Sequence, residues 1–105
     1  MPPFFYNGIK KGIDMALIIR ANGTTEEVFP SQGKEFTLEE LQKAVDGHIE
    51  VVPIRNPVLS DKVMFCDEEG KLKNKPFNFE ATKQAMILND VIVGDVILCE
   101  PGEVS

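Results

Sequence analysis

The chain has 105 residues, 43% apolar and 27% charged, with seventeen Asp and Glu against eleven Lys and Arg and a formal charge of −6. That is the composition of one globular domain with one core, not of a disordered chain. The acidic balance argues against direct nucleic-acid binding, which needs a basic surface, and no apolar run approaches the ~20 residues of a membrane span.

Residues 1–14, MPPFFYNGIKKGID, differ from the rest and lack the charged and apolar regions of a signal peptide. They read as an N-terminal extension, either upstream of a true start at Met15 or packing the cluster Phe4, Phe5, Tyr6 on the domain or on a partner. The expected compartment is the cytoplasm. A single domain is expected over 15–100, followed by a frayed tail at 101–105.

Ala16 to Arg20 is a continuous apolar run, which predicts a buried strand. Asn22-Gly23 signals a two-residue hairpin turn, with residues 25–30 returning as a strand ended by Pro30. Thr37 and Glu40 have capping-box spacing, and Leu38, Leu41 and Val45, with Ala44 beside them, form an apolar stripe. A helix is therefore predicted over about 37–46, with Gly47 as its left-handed stop. Ile49 to Ile54 and Lys62 to Asp67 read as strands. Glu68-Glu69-Gly70 reads as a tight turn in which Gly70 supplies positive φ, and Lys71-Leu72-Lys73 as a half-exposed strand. Asn78 is placed to cap a second short helix over about 78–86. Asp90 to Cys99 is the most apolar strand, broken at Gly94. The expected fold is α+β, a small, mostly antiparallel sheet with the main helix packed on one face.

Cys66 and Cys99 lie in apolar runs without CxxC spacing, so buried thiols are expected and a zinc site is not. A disulfide between them requires neighbouring strands and an oxidising compartment. The acids of Asp67-Glu68-Glu69-Gly70 are consecutive, not alternating as in a calcium loop, and lysines follow them. We expect no metal and no cofactor. No nucleophile elbow, phosphate loop, HExxH or dinucleotide fingerprint is present. Glu50, a lone carboxylate in an apolar strand, faces either solvent or a cleft, where burial would raise its pKa.

Three stretches carry a family resemblance: Gly47-His-Ile-Glu-Val-Val-Pro, Met64-Phe-Cys-Asp-Glu-Glu-Gly-Lys-Leu-Lys-Asn-Lys-Pro with Asn78, and Asp90-Val-Ile-Val-Gly-Asp-Val. In order and spacing, over about 15–100, they resemble the family of unknown function DUF3846, small proteins of phages, plasmids, integrative elements and bacteria. The sequence departs from the pattern at His48, where the family often has an aromatic, and residues 1–14 have no counterpart. The resemblance implies an accessory protein of a mobile element or its host, and the family has no established activity to carry over.

The leading expectation is a non-catalytic domain that binds an unknown protein or small molecule through Glu50, Asp67, Glu68, Glu69, Lys71 and Asn78, with Gly23, Gly47, Gly70 and Gly94 as structural turns. Two alternatives stand beside it: a small enzyme using Glu50 or His48 as general base, and an acidic mimic of nucleic acid. Exposed strand edges or the N-terminal aromatic cluster would support a homodimer.

Overall fold

The computed structural model describes residues 16–31, 33–54, 61–85 and 90–104. The N-terminal extension with its aromatic cluster, and the end of the second predicted helix, lie outside them. The elements are β1 (Ala16–Ile19), β2 (Thr25–Val28), α1 (Leu38–Val45), β3 (Ile49–Val52), β4 (Val63–Asp67), α2 (Phe79–Gln84), β5 (Val96–Cys99) and a 3-10 turn (Pro101–Glu103). The five strands form one sheet in the order β2-β1-β5-β4-β3 with every neighbour antiparallel. The fold is α+β.

Alternation along the strands feeds two cores. Leu17, Ile19, Val52, Met64, Cys66, Val96 and Leu98 point to one face and pack with Ala81 and Ala85 at α2 and with Ile92. Ala16, Ile18, Phe65, Ile97 and Cys99 point to the other face and pack with Phe36 and with Leu41 and Val45 of α1. Both faces are covered, which is why β1, β4 and β5 read as nearly unbroken apolar runs. Cys66 and Cys99 sit on adjacent strands but on opposite faces, so both are free buried thiols.

α1 starts as expected: the Glu40 amide donates to Thr37 Oγ1 at 3.1 Å, and the Thr37 amide to Glu40 Oε1 at 2.8 Å. Leu38 falls outside the buried stripe and is exposed, and Phe36 fills the core there instead. Asn78 caps α2 as expected, with the Ala81 amide donating to its Oδ1 at 3.0 Å.

Several local expectations are corrected. The loop after β1 is longer than two residues, since Ile19 faces Thr25 across the ladder, although Gly23 does take a left-handed φ of 95°. The left-handed stop of α1 is Asp46 (φ 57°), not Gly47. Lys71-Leu72-Lys73 is not a strand. Residues 68–74 form successive turns, with Lys73 N donating to Glu69 O, Asn74 N to Lys71 O and Lys75 N to Gly70 O. The positive φ in this turn belongs to Asn74 (57°), and Gly70 is instead crowded, because a Cβ there would lie 2.9 Å from Val93 Cγ2. The last predicted strand is ordered as a strand at Val96–Cys99; before it, Val93 makes a single bridge to Phe77 and Gly94 turns the chain at φ 78°. Residues 101–104 are not frayed, and residue 105 lies outside the described residues. Phe36 N donates to Glu103 O at 2.7 Å, Glu103 is buried, and Val104 packs on the α1 side.

Candidate ligand cavity

The acids and lysines of residues 66–76 first build a structural hub. Asp67 ends β4, and its side chain is fully buried. Lys73 and Lys75 each place Nζ 2.8 Å from Asp67 Oδ2, and the Glu69 amide donates to Oδ1 at 2.9 Å. Burial alone would raise the Asp67 carboxyl, but these three donors outweigh it and hold the pKa at about 2. The same two ammoniums cap α1. Lys75 donates to the carbonyls of Val45 and Asp46, both at 2.8 Å, and Lys73 to Asp46 O at 3.2 Å. Helix C-termini present unpaired carbonyls and a negative dipole end, so cations there are stabilising. Gly47 follows that helix end because nothing larger fits: a Cβ would stand 2.3 Å from Asp67 Cγ.

Beside this hub lies a cavity of about 260 Å³. One wall is residues 50–53 of β3 and its end, the second is Cys66, Asp67, Glu68 and Lys71, and the third is residues 90–93. The β3–β4 register sets Glu50 directly opposite Cys66. Buried Val52, Cys66 and Ile92 give the cavity an apolar floor, while Glu50, Glu68, Lys71 and Asp90 give it a charged rim. Lys71 pairs with Asp90 from the opposite wall. The Lys71 ammonium, with the Val91 amide, holds the Asp90 carboxyl below its usual range. The Cys66 thiol is pushed up to about 11, by burial first and then by the charges of Glu50 and Asp67. It stays protonated near neutral pH and is a poor nucleophile. Among the described residues no group of three or more His, Cys, Asp or Glu is arranged to hold a metal ion.

Of the six predicted site residues, Glu50, Asp67, Glu68 and Lys71 meet at this cavity. The carboxylate of Asp67 is already taken by its lysines. Glu69 is exposed and does not line the cavity. Asn78 is buried elsewhere, with Nδ2 donating to Ile19 O at 2.9 Å and Gly94 O at 2.8 Å, which ties α2 to the sheet. His48 lies outside the cavity, with Nδ1 3.8 Å from Glu68 Oε1 and both side chains exposed. The sequence reading missed Asp90 and Val91 as rim residues. Their signal was the acid opening an apolar run, which reads equally well as the start of a strand. A second hollow of about 320 Å³ lies between α1 and the β1–β2 hairpin, with Ile18 and Phe36 in it and Phe29 exposed beside it. Its charges are largely committed: Arg20 binds Glu26 and Asp95, and Glu40 caps α1.

Fold and cavity together define a small antiparallel α+β domain with a charged hollow beside the β3–β4 edge of its sheet. The chain belongs to the family described as domain of unknown function DUF3846, whose model matches residues 15–104. No curated protein and no solved structure matches it.

Proposed function

We propose that this protein is a small non-catalytic binding domain whose binding face is the cavity between β3, the 68–74 turn and residues 90–93. The observation that carries this reading is the convergence of Glu50, Asp67, Glu68 and Lys71, from two strands and a turn, on one hollow with an apolar floor. Concave sites with a few convergent polar groups are where ligands bind by default. The general-base alternative is weaker: Glu50 and His48 are both exposed, and the thiol nearest Glu50 stays protonated. Burial of Asp67, Glu80 and Glu103 removes three carboxylates from any surface array, which weighs against a nucleic-acid mimic. Service as an accessory protein of a mobile element or its bacterial host is part of the same proposal and is supported by the motif resemblance alone. No helix among the described residues is long and apolar enough to cross a membrane.

The test is an NMR screen of the ¹⁵N-labelled protein against fragments of mixed charge. Saturable shifts at amides of 50–52, 66–68, 71 and 91–93 are expected. A screen in which no fragment moves these residues refutes the reading.

A further inference from the structure

Building on the cavity as binding face, we infer that its occupant is a compact organic cation, a primary ammonium or guanidinium on a short apolar stem. Size sets the first limit. At about 260 Å³ the cavity lies just below the ~300 Å³ at which pockets for whole small molecules begin, so it suits a group the size of a side chain and not a nucleotide. The floor sets the second: Val52, Cys66 and Ile92 are buried and apolar and would pack against a stem.

Charge decides the sign. Five charged side chains line the cavity: Glu50, Asp67, Glu68, Asp90 and Lys71. Lys71 is held by Asp90, and Asp67 is neutralised from behind by Lys73 and Lys75. Glu50 and Glu68 remain. Neither has a lysine or arginine within 4.0 Å among the described residues, and Glu68 has only exposed His48 at 3.8 Å. An anion would enter against these carboxylates and compete with Asp90 for Lys71. A cation meets neither obstacle and gains charge-assisted hydrogen bonds. Glu50, set directly opposite Cys66 across the ladder, also favours a cation over the same floor. A bare hard cation is a poorer fit, because it needs several converging oxygens and those of Asp67 are already used.

The experiment compares three probes of matched size, butylammonium, butyrate and butanol, titrated into the ¹⁵N-labelled protein. Butylammonium is expected to shift amides of 50–52, 66–68, 71 and 91–93 saturably. Its Kd should rise about tenfold in Glu50→Gln and in Glu68→Gln, the scale of losing one charge-assisted hydrogen bond. Both sites are exposed, so the fold is retained. Glu27→Gln, on the exposed β2 strand, should leave the Kd unchanged. Butyrate or butanol binding there as tightly as butylammonium overturns the cation inference and leaves the cavity reading standing. No shift with any of the three overturns it too, and the fragment screen then decides separately whether the cavity binds at all.

Discussion

Replacing Gly47 by Ala should destabilise the protein although glycine has no side-chain contact to lose. The backbone at Gly47 is not left-handed, so alanine meets no strain in φ and on its own would stabilise by about 0.4–1 kcal/mol through the unfolded chain. The obstacle is the neighbour. The new Cβ would stand 2.3–2.5 Å from all three atoms of the Asp67 carboxylate group, which must then leave Lys73 and Lys75. What that hub contributes follows from its acidity. Lowering Asp67 from 3.8 to about 2 corresponds to about 2 kcal/mol at 1.36 kcal/mol per unit, and solvent around half-exposed Lys73 trims this to about 1–2. Because the folded pKa is depressed, the contribution is fully present above about pH 4 and is lost as pH falls toward about 2. Urea midpoints should therefore show Gly47→Ala destabilised by about 1–2 kcal/mol at pH 7 and nearly level with the wild type close to pH 2. In an Asp67→Ala background the clash is gone, and the same substitution should become neutral or stabilising. Equal costs of Gly47→Ala in both backgrounds would refute the reasoning.

Asn78→Ala should cost about 2–4 kcal/mol, because it strips the cap of α2 and leaves the carbonyls of Ile19 and Gly94 without their donor. Asn78→Asp should be at least as harmful in urea melts, since it keeps the cap acceptor but turns a carboxylate toward two carbonyls; a near-neutral Asp variant would contradict this account. Cys66 and Cys99, with thiols pushed up to about 11 and about 12 chiefly by burial, should react with a disulfide reagent at pH 8 no faster than the protein opens. Rapid labelling of either cysteine in the native state, followed by mass spectrometry, would count against their burial.

The parts of the fold legible in sequence were those set by local rules. The Thr37–Glu40 box, the Asn78 cap and the apolar runs of β1 and β4 depend on spacing alone, and each appears where spacing puts it, whereas only the 96–99 part of the last apolar run is a strand. Lys71-Leu72-Lys73 alternates like a strand, yet turns, because Lys73 and Lys75 are drawn to Asp67 and to the end of α1, contacts spanning up to 30 residues that no local pattern announces. Gly47 and Gly70 were recognised as special for the wrong reason: turn chemistry suggested positive φ, whereas both are needed for the close approach of a side chain from elsewhere in the fold. Glu50, Glu68 and Lys71 share a cavity because β3 pairs with β4 in register, and Asp90 joins them only through the path of the chain into β5.

The 68–74 turn looks from outside like a place where the chain is free to vary, being surface-exposed and rich in charge. Its length is nevertheless fixed. Lys71 reaches one layer of the molecule at Asp90, and Lys73 and Lys75 reach the other at the end of α1, so the three lysines act as a ruler laid across the end of the sheet. One inserted residue between Gly70 and Lys75 would leave either the cavity rim or the helix end unmatched. A tag or loop graft belongs instead at the β1–β2 connection, where Gly23 has open space around it and its neighbours are exposed.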